Sequence, residues 1–107
     1  MESLPIIVVK RNGSRQNFDR NKILNSMIRA FDKRKVNVED LDRITTEIEQ
    51  TIQNSLEREI TTDKLGEMIL ERLKPIDEVA YIRFASVYRR FADANSFIRE
   101  INKFLEE

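Results

Sequence analysis

The dipeptide Asn12-Gly13 constrains the start of this chain more than any other feature. The run Ile6-Ile7-Val8-Val9-Lys10-Arg11 before it is short and β-branched, which favours a strand. Ser14 to Phe18 then reads as the returning strand. Asn and Gly both tolerate positive φ, as a tight hairpin turn requires. The hairpin sets Lys10 and Arg11 side by side at the turn, and Asp19 is placed to cap a helix carrying Lys22 in its first turn. Arg offers a planar fork to phosphate oxygens and Lys a compact charge. Backbone N–H groups at a helix start add donors and a favourable dipole. Three cations on a hairpin and a helix start can therefore converge on one polyphosphate. The same residues also read as ordinary surface charges, because basic residues are mostly exposed.

A length of 107 residues gives room for one domain, and 40% hydrophobic content supports one core. Lys plus Arg and Asp plus Glu both number 19, so the net charge is zero, which argues against non-specific binding to nucleic acid. The charge is uneven: residues 1–35 carry 9 cations and 3 anions, residues 36–78 carry 5 and 12. An anionic ligand is drawn to the first third. Without cysteine or histidine there is no disulfide, no thiolate metal site and no donor set for zinc or iron beyond carboxylates. No apolar run approaches the ~18 residues of a spanning helix. No signal peptide opens the sequence, so a soluble cytoplasmic protein with no membrane partner is expected. Neither G-x-x-x-x-G-K-[ST] nor G-x-G-x-x-G occurs. No nucleophile stands beside a base, so an enzyme is not expected.

Apolar spacing predicts five helices. The first spans about 20–34, with Ile23, Leu24, Met27, Ile28 and Phe31 on one face and Lys33-Arg34-Lys35 in its last turn. The second spans about 39–56, with Leu41, Ile44, Ile48, Ile52 and Leu56. Glu59-Ile60-Thr61 is extended and joins the hairpin as a third strand. Thr61 or Thr62 caps a third helix bearing Leu65, Met68, Ile69 and Leu73, which stops near Pro75. The fourth, about 77–91, offers Val79, Ala80, Phe84, Val87 and Phe91 to the core. The fifth, about 94–105, is amphipathic, with Phe97, Ile98, Ile101, Phe104 and Leu105 facing core or partner. The expected fold is α+β: a small bundle of four to five helices capped by a short three-stranded antiparallel sheet.

Tyr81, Phe84, Tyr88 and Phe91 share one side of the fourth helix. They suit core and edge packing; stacking on a base is the alternative. Arg83, Arg89 and Arg90 would add cations if that helix packs beneath the hairpin. Glu47, Glu49, Glu67 and Glu71 read as solvated helix surface.

Val8-Val9-Lys10-Arg11-Asn12-Gly13-Ser14-Arg15, followed by Phe18-Asp19-Arg20-Asn21-Lys22-Ile23, resembles the opening of the ATP-cone domain. Val79-Ala80-Tyr81-Ile82-Arg83-Phe84-Ala85-Ser86-Val87-Tyr88-Arg89 resembles a signature of one branch, the NrdR transcriptional repressors of ribonucleotide reductase genes. Lys33-Arg34-Lys35-Val36 stands where that branch has a similar segment, and the resemblance covers roughly residues 5–93. It implies an allosteric sensor that binds ATP or dATP, with or without Mg²⁺, and whose nucleotide state sets its oligomeric state. By position it implies Lys10, Arg11 and Lys22 on the phosphates and Val9 presenting backbone. It sets Gln16 and Asp19 at base or ribose, Thr62 facing the nucleotide, and Tyr81, Arg83 and Tyr88 contributing from the fourth helix. Many cones have glutamate where Gln16 stands; glutamine keeps the hydrogen bonds and loses the charge.

The repressors bind DNA through a zinc ribbon with four cysteines. This chain has none, so it is expected to hold no zinc and not to contact DNA directly. It would act as a stand-alone cone, as part of a longer protein, or through another regulatory or DNA-binding chain. Two functions from different classes follow: a nucleotide-sensing, self-associating regulatory domain, or a helical interaction module that has lost nucleotide binding. A nucleotide-hydrolysing enzyme lacks the parts it needs.

Overall fold

The computed structural model describes residues 4–89 and 94–106, apart from the side chain of Phe104. Arg90 and Phe91, expected on the fourth helix, lie outside the described residues. Strands β1 (Ile7–Val9) and β2 (Arg15–Asn17) lead into helices α1 (Arg20–Ala30) and α2 (Val38–Gln53). Strand β3 (Glu59–Thr61) then runs directly into α3 (Thr62–Leu73), and α4 (Glu78–Arg89) and α5 (Ala94–Leu105) follow. The fold is α+β, with five helices and one three-stranded sheet of order β2-β1-β3.

The sheet is mixed where an antiparallel one was expected. β1 pairs antiparallel with β2 (Val8 opposite Gln16) but parallel with β3 (Val8 opposite Ile60). A parallel pair needs a long crossover, and α1 and α2 supply it between β2 and β3. The chain re-enters the sheet where Arg58 accepts a 3.1 Å hydrogen bond from the Ile7 N–H. Its direction follows from helix packing that no strand sequence encodes.

The hairpin also differs in detail. The Gly13 N–H donates to the Lys10 carbonyl at 2.8 Å, and the Lys10 N–H to the Ser14 carbonyl at 2.8 Å. Only Gly13 takes a positive φ, +85°; Asn12 does not. The loop is thus the three-residue kind, a type I turn closed by a left-handed glycine. Asn12 contributes its side-chain oxygen, which accepts from the Ser14 N–H at 2.9 Å.

Ile6, Val8 and Ile60 of the sheet region pack with Met27 and Phe31, with Leu41, Ile44, Ile48 and Ile52 of α2, and with Leu65, Ile69, Leu70 and Leu73 of α3. α4 closes the core with Ala80, Tyr81 and Ala85. Asp19 caps α1, accepting from the Lys22 N–H at 3.1 Å, and Thr61 rather than Thr62 caps α3, accepting from the Lys64 N–H at 3.1 Å. α1 stops at Ala30 and Lys33 has φ +60°, so Lys33-Arg34-Lys35 form the turn after the helix rather than its last turn. α2 ends at Gln53, which leaves Leu56 fully exposed in the following loop. Val87, expected in the core, is 78% exposed, because α4 buries the face of Ala80, Tyr81 and Ala85 instead. On α5, Phe97 and Ile101 are half-buried while Ile98 and Leu105 are exposed. No helix among the described residues is long and apolar enough to cross a membrane.

Asp77 fastens two parts of this arrangement. Its carboxylate accepts from the Val79 and Ala80 N–H groups at 2.9 and 3.0 Å and from Arg34 Nε at 2.9 Å. The Ala80 bond first, then Arg34 and Val79, hold the carboxyl below its ordinary range. Asp77→Ala is expected to cost about 1–2 kcal/mol, the usual loss for an N-cap. A carboxyl lowered in the folded state stabilises fully above its unfolded value of about 3.9, and that contribution disappears as pH falls through the folded value. Thermal melts of both proteins should therefore differ at pH 7 and converge on acidification; a gap that persists undiminished at pH 3 would contradict this role.

Candidate functional site

The parallel pairing of β1 with β3 sets Val9 opposite Thr61. Both strands thus end at the same edge, where β1 continues into Lys10-Arg11 and β3 into the first turn of α3. A cleft of about 490 Å³ opens there, lined by Lys10, Arg11, Asn12, Gln16, Lys22, Thr62, Asp63, Val87 and Tyr88. A second hollow of about 300 Å³ shares Gln16, Lys22 and Thr62 with it and reaches Asp19, Ser26 and Arg29. Both lie in the size range of small-molecule sites.

Six of the ten candidate residues line the main cleft: Lys10, Arg11, Gln16, Lys22, Thr62 and Tyr88. Asp19 lines the adjoining hollow while capping α1. Val9 lies in β1 between Arg15 and Thr61, one residue before the cleft. Two residues line neither of these hollows. Tyr81 is buried in the core, and its hydroxyl donates to Glu100 of α5 at 3.1 Å. Arg83 donates to the backbone carbonyls of Ala30 and Asp32 at 3.3 and 2.6 Å, fastening α4 to the end of α1. Tyr81 shares a face of α4 with Tyr88 but lies two turns earlier, in the core, while Arg83 lines a third hollow of about 350 Å³ that adjoins the cleft through Val87 and Tyr88. Tyr88 lies two turns further along α4 and reaches the cleft.

Tyr88 is held from two sides. Its hydroxyl donates to the Thr62 carbonyl at 2.9 Å and contacts that of Asp63. Its ring covers Gly66, where an added Cβ would overlap the ring carbons Cζ, Cε1 and Cε2. Burial, with the nearby Asp63 and Glu67 charges, pushes the phenol up to about 12, so it remains a hydroxyl donor at neutral pH. Phe84 stacks on it with ring centroids 6.1 Å apart.

Sequence reasoning missed Asn12, Asp63 and Val87 at this site. Asp63 matters most: its Oδ1 accepts from Arg11 Nε at 2.8 Å across 52 residues of sequence. Its hydrogen bond and charge raise the Arg11 guanidinium further above its ordinary value. The usable signal was its place directly after Thr62 in a helix first turn. Arg15 is similarly engaged by Glu59 through two bonds of 2.9 and 2.8 Å. Lys10 and Lys22 have no ion-pair partner among the described residues. Two unpaired ammonium groups, one guanidinium and the starts of α1 and α3 form a donor set that suits phosphate oxygens. Among the described residues no group of carboxylates is arranged to hold a metal ion.

The ATP cone domain family matches residues 6–94 of the chain. Over all 107 residues the chain is 53% identical to a transcriptional repressor NrdR from Acetivibrio thermocellus, covering 71% of that protein. It is 53% identical to one from Thermoanaerobacter sp. (strain X514), covering 68%, and 51% identical to one from Caldicellulosiruptor bescii, covering 70%. The chain belongs to the NrdR family of transcriptional repressors, of which it carries the ATP-cone part.

Gly66→Ala tests the packing that positions Tyr88. Within a helix this change ordinarily gains about 0.5–1 kcal/mol. Here the overlap with the Tyr88 ring should reverse the sign, with a loss of about 1–3 kcal/mol as for other overpacked sites. Combined with Tyr88→Ala, the same change should become stabilising. Denaturant unfolding of the four proteins decides it, and a stabilising Gly66→Ala in the presence of Tyr88 would refute the close approach.

Proposed function

We propose that the cleft binds ATP or dATP as an allosteric ligand, with or without Mg²⁺, and that its occupancy controls self-association. The carrying observation is that Lys10 and Arg11 from the hairpin and Lys22 from α1 line one cleft with Thr62. Lys10 and Lys22 supply point charges to the phosphates and Arg11 its fork. Gln16 and Asp19, beside the adjoining hollow, suit base or ribose, and Tyr88 closes the wall. The names of the relatives support a regulatory role in transcription. An adenine nucleotide and further copies of the chain are the expected partners. Any contact with DNA would come from a region or chain outside these residues. A soluble, cytoplasmic setting suits that role.

Titration calorimetry with dATP and ATP, paired with size-exclusion light scattering, tests the reading. Ligand at 100 times its dissociation constant should stabilise the fold by about 2.7 kcal/mol. Replacing Lys10 and Arg11 with Ala should abolish that gain and flatten the salt dependence of binding. The unfolding midpoint without ligand should barely move, because exposed ion pairs contribute little. Unchanged melting of the unmodified chain at millimolar nucleotide would sink the proposal.

A second reading, a helical association module, is favoured by α5, whose Ile98 and Leu105 are exposed. On that reading removal of residues 94–107 abolishes association and nucleotide has no effect on mass. Association that survives the truncation would count against it.

A further inference from the structure

Asp63 is the one residue of the cleft whose charge opposes an anionic ligand. It stands in the first turn of α3, and its carboxylate binds Arg11 Nε at 2.8 Å. The two side chains are 58% and 60% exposed, so the pair contributes little to holding the fold. It is not needed to cap α3 either, because the Thr61 hydroxyl oxygen already accepts from the Lys64 N–H. Two consequences oppose a phosphate. The carboxylate engages the strongest fork donor of the cleft. It also neutralises the positive end of α3, where free N–H groups and the helix dipole would otherwise favour an anion.

We propose that Asp63 is an internal competitor for Arg11. Its carboxylate engages the guanidinium as a ligand phosphate would and keeps the affinity of the cleft for polyphosphates below what its cations alone would give. The inference rests on the reading of this cleft as a nucleotide site. Asp63 holds the Nε of Arg11 and leaves its terminal NH groups open, so a triphosphate that takes the Nε side of the fork must draw it from Asp63, and part of the interaction energy goes into that exchange. The residue thereby sets the concentration at which the site fills, without itself serving as a ligand group.

The test is calorimetric titration of the unmodified protein, Asp63→Asn, Arg11→Ala and the double variant. ATP and inorganic tripolyphosphate serve as ligands, each with Mg²⁺ and with chelator. Asp63→Asn should bind both ligands about two- to fivefold tighter, the scale of one exposed ion pair. In the Arg11→Ala background the gain should shrink to the part that comes from the carboxylate's own charge at the start of α3. Asp63→Ser replaces Asp63→Asn if the latter folds poorly. Equal or weaker binding by the variant, with the unmodified protein binding normally, overturns the competitor role. So does a loss confined to Mg²⁺ buffer, which would make Asp63 a metal ligand, or a gain that is undiminished without Arg11. Absence of binding by every protein overturns the nucleotide reading itself, and this inference with it.

Discussion

The parallel pairing of β1 with β3 is the constraint on which the site depends. Were β3 antiparallel, α3 would begin at the opposite edge of the sheet from the hairpin turn. Its first turn, Thr62 and Asp63, would then lie far from Lys10 and Arg11. With Val9 opposite Thr61, two segments separated by some fifty residues become neighbours, and the core holds them there. The pairing is only three residues long, too short to be stable alone. Packing of α3 beside β3 fixes its direction, with Ile60 and Leu65 in one core with Ile6 and Val8. The cleft is therefore a product of the helical core rather than of the hairpin that supplies most of its cations.

Charge is redistributed by the same folding step. The cation-rich first third meets the acid-rich middle, and most of the imbalance is cancelled in pairs. Arg11 is taken by Asp63, Arg15 by Glu59, Arg20 by Asp42 and Arg34 by Asp77. These arginine forks are thus engaged by carboxylates within the fold, and among the described residues Lys10 and Lys22 bring charge to the cleft without an ion-pair partner. Arg rather than Lys in the structural pairs has a physical basis, since a planar fork loses less freedom per bond formed. A chain of zero net charge can in this way keep a locally positive mouth.

The elements most legible in the sequence were those fixed by local chemistry. Asn12-Gly13 gave the hairpin, Asp19 and Thr61 the caps, and the three- and four-residue apolar spacing all five helices. The strongest site signals, Lys10, Arg11 and Lys22, were legible because strand end, turn and helix start are neighbours in sequence. What could not be read was non-local. Asp63 reaches Arg11 only through the strand order. Tyr81 shares a face of α4 with Tyr88, and periodicity does not say how far along the helix the cleft reaches; Tyr88 lines it, while Tyr81, two turns earlier, is buried in the core. Leu56 and Val87 continue apolar patterns past the point where a helix ends or turns to solvent, which composition does not mark.

The last turn of α4 joins the cleft to α5. Consecutive helix residues point about 100° apart, so Tyr88 and Arg89 face different neighbours. Tyr88 is bonded to the first-turn carbonyls of α3 at the cleft wall. Arg89 pairs with Glu67 of α3 and with Glu100 of α5, the residue that also accepts from Tyr81. A ligand that draws Arg11 away from Asp63 acts on the same turn of α3 that holds Tyr88. Glu100 of α5 thus meets both Tyr81 and Arg89 of α4. Tyr88 and Arg89 thus stand between the cleft wall and α5, where the proposed link between ligand and self-association would have to act.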